Sequence, residues 1–327
     1  MLKSLAKRFT LRRSNLALAL LAVVATASSA TSTIERSTPI AFITGAPIVV
    51  IPESDSSLIF VDVRDGRTIR RTGLTGRITD LIPCSNGRRI VAVTESAITE
   101  IAPDPSIPPR QLRSIAAGEK ASISRSCDEI AIFGPQRTTI EIGGRDGVKP
   151  ASIPAPMGVS QACFGKNGKD LIALSTSGAV SILNATTAAA RKLENLPTTD
   201  VLGIGCLGDD SIITASVPSH VWKTMSSTAQ KLNGVVCDMA GHTCAESIHG
   251  TLLATVRDES GSISDQLFIY SRQKKEKFAG QRLPARPIGI AMNEEGTLIL
   301  VAFKDRAPML WRFSNGTITK DAAFDLH

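Results

Sequence analysis

Residues 77–116, RITDLIPCSNGRRIVAVTESAITEIAPDPSIPPRQLRSIA, contain four short runs rich in Val, Ile, Leu and Thr. RITDLIPC, RRIVAVTE, AITEIAP and RQLRSIA are each of strand length, and Asn86-Gly87 supplies the positive φ that a tight hairpin needs. No apolar repeat at helical spacing runs through them. Four successive strands on short loops predict one antiparallel sheet. Alone, such a sheet buries too little apolar surface to be stable, so the stretch implies neighbours of its own kind.

Those neighbours are present. GVSQACF, DLIALST, AVSILNA and ARKLENL fill residues 158–196; RPIGIAM, TLILVAF, PMLWRF and GTITKDAAF fill 286–324; PIAFIT, APIVVIP, SLIFVDV and TIRRTGL fill 39–74. A small or sulfur-bearing residue closes the first run of each group but the opening one: Cys84, Cys127, Cys163, Cys206, Cys244 and Met292, at intervals of 43, 36, 43, 38 and 48. A repeat near 40 to 45 residues is that of four-stranded propeller blades. Seven groups at about 41 residues each account for residues 38–327. The sequence therefore predicts an all-β fold, a seven-bladed β-propeller of four-stranded antiparallel blades in a single domain. Radial closure gives every sheet two neighbours and leaves only short edges. Asp65-Gly66, Asp146-Gly147, Asn167-Gly168 and Asn315-Gly316 fall between the expected strands. Two β-sandwiches would also need short strands and turns, but not seven groups of four at one period.

The N-terminus is of another kind. Lys3, Lys7, Arg8, Arg12 and Arg13 precede a small and apolar run from Leu16 to Ala27, with no acidic residue before Glu35. This is the pattern of a secretory signal peptide, residues 1–30, with small residues placed for cleavage after Ala27 or Ala30. The run is shorter than the roughly 20 residues a membrane-spanning helix needs, which favours cleavage over a retained anchor. Arg12-Arg13 opens the alternative of a twin-arginine route, but Leu11 and Asn15 depart from that motif. Either route implies a periplasmic or secreted protein without stable membrane insertion. The 327-residue chain carries 37 Lys+Arg against 30 Asp+Glu, and the five cations of the leader account for most of the excess. The remaining near-neutral body, with one Tyr and two Trp, argues against nucleic acid as a partner. With 43% hydrophobic and 20% charged residues, disordered and multi-span membrane classes are excluded as well.

Arg286-Pro287-Ile288-Gly289-Ile290-Ala291, followed by Asn293-Glu294-Glu295-Gly296 and the strand Thr297 to Ala302, resembles the YVTN-type β-propeller repeat, a WD-like family of exported bacterial proteins. Ser57 to Gly66, SLIFVDVRDG, is similar to the same family's strand and hairpin. WD dipeptides are absent, and the turn after the first strand departs from the family's usual Ser-Pro-Asp-Gly. The resemblance implies an extracytoplasmic seven-bladed scaffold. A fold of this kind hosts diverse duties and does not itself name one.

Chemistry-bearing patterns are sparse. Six Cys in an exported chain are compatible with disulfides, and equally with small buried residues packed between blades. Cys237 and Cys244, close in sequence and flanking Gly241, are the favoured bonded pair. Cys237, His242, Cys244 and His249 crowd together without the spacing of a zinc finger or ribbon, so no metal site is assigned. No C-x-x-C-H or G-x-S-x-G occurs, and no cofactor or catalytic residue is assigned. Asp80, Arg125, Gln161 and Asp200 lie on or beside expected innermost strands and are candidates to line the channel. These observations favour a non-enzymatic interaction scaffold or accessory subunit with a protein partner. The alternative is a propeller enzyme with a site at the channel mouth, such as a lactone hydrolase or a subunit of a periplasmic dehydrogenase.

Overall fold

The computed structural model describes residues 38–145, 151–155, 157–165, 168–194, 196, 201, 203–206, 211–215, 220–225, 228–232, 244–247, 251–257, 263–274, 276–322 and 324. Residues 37–327 form one compact unit. Its strands make seven four-stranded antiparallel sheets, each built from consecutive strands of one continuous stretch. The innermost strands are Ala41–Phe42, Ile78–Pro83, Lys120–Ile123, Val159–Phe164, Gly203–Cys206, Cys244–Glu246 and Pro287–Met292. Innermost strands of blades 1 and 2, 3 and 4, 4 and 5, 6 and 7, and 7 and 1 lie against each other around the axis. The outer strands are Thr68–Gly73, Arg110–Ser114, Ala151–Pro154, Ala190–Lys192, Thr228–Leu232, Glu276–Arg282 and Thr317–Lys320. This is the seven-bladed β-propeller that the sequence predicts.

The alternation of side chains along a strand explains why the ring forms. In blade 2 the second strand, Ile90–Thr94, is buried at every position. Ile90 and Ala92 pack into a core shared with blade 1, while Val91 and Val93 pack into a core shared with blade 3. Blade 4 repeats the scheme: Leu171 and Ala173 face blade 3, and Ile172 and Leu174 face blade 5. A strand apolar on both faces must be covered on both, and two neighbouring sheets do that. Outer strands reach the solvent, and Ala190–Lys192 is exposed throughout.

The same logic closes the ring. Val49, Ile51 and Val61 of blade 1 share a core with Leu300, Ala302 and Leu310 of blade 7. The Thr38 N–H donates to the Ile288 carbonyl at 2.8 Å, and the Gly45 N–H donates to Glu294 Oε2 at 3.1 Å. Closure therefore rests on face-to-face packing and a short backbone latch, with no strand exchanged between the first and last blades among the described residues.

The structural repeat is more regular than the cysteine spacing suggests. Ile43, Cys84, Ser124, Gly165, Ser247 and Asn293 each follow an innermost strand and donate their N–H to the carbonyl five residues on. Against that frame Cys84 is in register, Cys127 lies three positions late in a turn, and Cys163 two positions early. Cys244 opens its strand, Cys244–Glu246, where the sequence reading had it closing one. The cysteines thus drift around the repeat, which is why their intervals scatter. The expected turn glycines do have positive φ: Gly66 at 72°, Gly87 at 148°, Gly168 at 66° and Gly316 at 76°. Asp146 and Gly147 lie outside the described residues.

Polar staples reinforce particular interfaces. Cys84 of blade 2 is bonded to Cys127 of blade 3, with Cα atoms 5.3 Å apart, and Cys163 of blade 4 to Cys206 of blade 5, at 5.7 Å. Between the same two blades as the first of these, the Glu100 carboxylate gathers three guanidinium groups. Arg89 Nη1 lies 3.1 Å from Oε1, and Arg110 Nη2 and Arg145 Nη2 lie 3.3 and 2.8 Å from Oε2. Arg145 follows the third strand of blade 3, so the cluster bridges two blades. Glu100 is buried, Arg110 half exposed. Glu100→Gln strips the charge that three arginines share and is expected to cost about 3–5 kcal/mol, whereas Arg110→Gln is expected to cost about 1 kcal/mol or less. Urea titration of the two variants checks the contrast.

Arg70, on the outer strand of blade 1, is another interblade tie. Its Nη1 donates to the carbonyls of Ala102 and Asp104 at 2.7 Å and of Ile107 at 2.8 Å, and its Nε donates to Thr72 Oγ1 at 2.7 Å. Burial pushes the guanidinium pKa down, and nearby Asp104 partly opposes the shift. One arginine thereby ties three carbonyls of the loop 102–109 of blade 2 to blade 1.

Candidate functional site

Antiparallel blades give the ring two distinct ends. One end carries the hairpins joining innermost to second strands and third to outer strands. The other carries the hairpins joining second to third strands and the connections between blades.

Bulges shape the innermost strands near the second of these ends. Register shifts fall between Ile78 and Asp80, Val159 and Gln161, and Pro287 and Gly289, leaving Thr79, Ser160 and Ile288 as the extra residues. Such insertions bend a strand and re-aim the residue that follows. Asp80 then accepts a hydrogen bond from its neighbour's N–H, Leu81, at 2.8 Å. Gln161 Oε1 accepts the N–H of Ile204 at 2.8 Å and so ties the innermost strands of blades 4 and 5 together. Lys120 Nζ does the same for blades 3 and 4, donating to the Ser160 carbonyl at 2.9 Å.

Arg125 lies in the turn after the innermost strand of blade 3 and forms an ion pair with Glu246, at the end of the innermost strand of blade 6. Blades 3 and 6 lie on opposite sides of the ring, so this pair crosses the axis. Glu246 is almost fully buried and Arg125 about a third exposed. Of the four candidate channel residues, Asp80 and Gln161 are therefore placed near one end and Arg125 near the other. Asp200 lies outside the described residues.

Cys244 is disulfide-bonded, which removes it as a thiolate ligand. Cys237, His242 and His249 lie outside the described residues. Among the described residues no three His, Cys, Asp or Glu side chains group as metal ligands, and no helix is long and apolar enough to cross a membrane.

An open groove of about 970 Å³ lies between blades 6 and 7, at the end that carries the interblade connections. Its floor is apolar: Leu283, Pro284 and Ala285 from the connection between the blades, with Met309 and Trp311 from the third strand of blade 7. Leu283 and Trp311 are also part of the core the two blades share. The walls are cationic. Arg282 ends the outer strand of blade 6, Arg286 leads into blade 7, Arg306 stands in the second hairpin of blade 7, and Lys320 ends its outer strand. Asp265 is the one acidic residue of the lining, 3.4 Å from Arg282 Nε with both side chains mostly exposed. Arg286 has a partner of its own. Arg306 and Lys320 are exposed and have no ion pair among the described residues. The Trp311 indole N–H is buried without an acceptor among the described residues.

Sequence reasoning did not single out this groove. Its cations sit on three separate segments, converging only once two blades are stacked. The Leu-Pro-Ala run between Arg282 and Arg286 was the one local signal, an apolar connection bracketed by arginines. Glu246 was missed for the same reason, since its partner lies three blades away.

No family model matches the chain, and no curated protein matches it. Among solved structures, the crystal structure of the β-propeller domain of Myceliophteria thermophila Cps50 (Swd1) matches with a TM-score of 0.65 at 12% identity, over 85% of this chain and 97% of that domain. At that identity the likeness speaks for architecture alone, and it agrees with the seven stacked sheets: the chain has the β-propeller fold.

Proposed function

We propose that this chain is an exported β-propeller of the YVTN-like kind, acting outside the cytoplasm as a non-enzymatic protein-interaction scaffold or accessory subunit. The observation that carries the reading is the groove between blades 6 and 7, where exposed cations surround an apolar floor on a ring otherwise closed by packing. A polar rim around an apolar centre is the composition of a protein-binding patch. The compartment is supported by the leader and by the cysteines, since disulfides persist in oxidising surroundings. With Cys84, Cys127, Cys163 and Cys206 paired, Cys237 is the remaining cysteine of the six, and we assign it to Cys244.

The enzyme alternative keeps one supporting observation, the meeting of Arg125 and Glu246 from different blades at one end of the channel. It needs further acid–base groups beside them to run a reaction. Fractionation of cells producing the whole chain, with the mature N-terminus read by mass spectrometry, separates the outcomes. Export is expected to yield a chain beginning at Ser28 or Thr31 that forms discrete cross-linked adducts with another protein. An intact leader on cytoplasmic protein overturns the compartment. Recovery without adducts, together with turnover of a lactone or an alcohol, overturns the scaffold.

A further inference from the structure

We propose that the groove between blades 6 and 7 binds an extended acidic segment of a partner protein, with carboxylates on Arg306, Lys320 and Arg282 and an apolar side chain on Met309, Pro284 and Ala285. The inference rests on the scaffold reading and names the chemistry of what that scaffold holds. Charge complementarity selects the occupant. Four cations and one carboxylate line the groove, while the body of the protein is close to neutral, so the positive potential is local and not a property of the whole surface. The side chains supplying it are exposed, and neither Arg306 nor Lys320 is spent on an ion pair within the described fold. The acids closest in the chain do not neutralise both. Asp321 is held by Arg312 at 2.6 Å, and Asp305 shares a hairpin with Lys304 as well as Arg306.

The floor argues against a polyphosphate or nucleic acid occupant. Met309, Pro284 and Ala285 offer hydrophobic surface between the cations and no stacking platform, because Trp311 is buried in the core with almost no exposed face. A peptide answers both features, since acidic and apolar side chains alternate on an extended chain and address walls and floor in turn. A volume of about 970 Å³ is also at the upper end of small-molecule sites and open to solvent, as a groove for several residues must be.

The test uses the mature protein and a fluorescein-labelled peptide of about twelve residues containing four Glu and two Leu among Gly and Ser. Fluorescence anisotropy is expected to show saturable binding that weakens at least tenfold in the Arg306→Glu/Lys320→Glu variant. It should also weaken at least tenfold in 0.5 M NaCl, and severalfold when the two Leu are replaced by Ser. Both substituted residues are exposed, so circular dichroism should show the variant folded as before. Absence of binding, equal affinity in the variant, indifference to the Leu positions, or tighter binding of an oligothymidylate each overturns the proposal. A photo-cross-linking side chain at position 307, beside Arg306 and exposed, and another at position 86, at the opposite end of the ring, then separates the two readings in cells. Adducts from 307 through an acidic, apolar-containing segment of the captured protein support both, and adducts from 307 through any other segment overturn the groove proposal. Adducts from 86 alone leave the scaffold standing without this groove, and adducts from neither remove both.

Discussion

Replacing Cys84 and Cys127 together by alanine is expected to destabilise the protein by about 4 kcal/mol. The bond closes 43 residues, one blade's worth of chain, and loop-closure entropy for that length gives this figure. Both sulfurs are fully buried in the core shared by blades 2 and 3, so their loss also removes packing. The pair Cys163 and Cys206 closes a loop of the same length that does not overlap the first. The two contributions should therefore add, and about 8 kcal/mol is comparable with the whole stability of an ordinary domain. The quadruple alanine variant, or the wild type in strong reductant, should consequently lose cooperative unfolding or fail to accumulate. Urea titration with each double variant checks the first statement; a shift below about 1 kcal/mol for either pair would show that the bonds do not constrain the ring.

The second large effect concerns closure. Gly289 sits on the innermost strand of blade 7 directly after its bulge, and a Cβ there would stand 2.3 Å from the Thr38 carbonyl oxygen. Real Cβ atoms do not approach an oxygen so closely, and the obstacle is backbone, which cannot swing aside as a side-chain tip can. Gly289→Ala must push Thr38 away, breaking the Thr38 to Ile288 hydrogen bond and loosening the core shared by blades 1 and 7. A cost of about 3 kcal/mol is expected, from overpacking together with a lost buried hydrogen bond, and Gly289→Val should cost more. Gly73 provides the control: a Cβ there meets nothing within 4 Å, so Gly73→Ala should be neutral or slightly stabilising. Thermal unfolding of the three variants side by side is the measurement, and parity between Gly289→Ala and Gly73→Ala would remove the latch from the account.

Gly289 also shows how far the sequence could be read. The Pro-x-Gly-Ile-Ala pattern around it identified a blade, but nothing local says that the glycine is needed because the other end of the chain passes over it. Strands and hairpins were legible because their causes are local. Continuous apolar runs of strand length set Ile90–Thr94 and Leu298–Phe303, and Asn-Gly or Asp-Gly set the turns at Gly66, Gly87 and Gly316. The seven groups at one period then gave the ring, because a sheet apolar on both faces has few other ways to be covered.

Pairings across blades were not legible. Cys84 with Cys127 and Cys163 with Cys206 share the spacing of 43, close to the repeat, yet spacing alone does not say whether neighbouring blades bring those positions within bonding distance. The favoured pair, Cys237 with Cys244, was chosen on nearness in sequence, the only criterion available there. Arg125 was noticed for its place near an innermost strand, but its partner Glu246 is 121 positions away in the chain and adjacent only across the axis. The groove is the extreme case, since the two arginines of the connection between blades meet Arg306 and Lys320 only after blade 7 has folded. The densest basic run of the sequence, Arg272 to Lys277, was by contrast a poor guide to it: Arg272–Lys274 form the outer turn of blade 6, and Lys277 lies 4.2 Å above the Phe268 ring.

An exported ring stapled by oxidised cysteines is the central claim, and one measurement reaches it most directly. Protein recovered from the periplasm or medium, blocked with a thiol reagent, and digested without reduction is expected to give an intact mass starting at Ser28 or Thr31 with no blocked cysteine. Its digest should contain one peptide pair joined through Cys84 and Cys127 and another through Cys163 and Cys206. Six blocked thiols on an exported, folded chain, or a different set of joined peptides, would contradict the account.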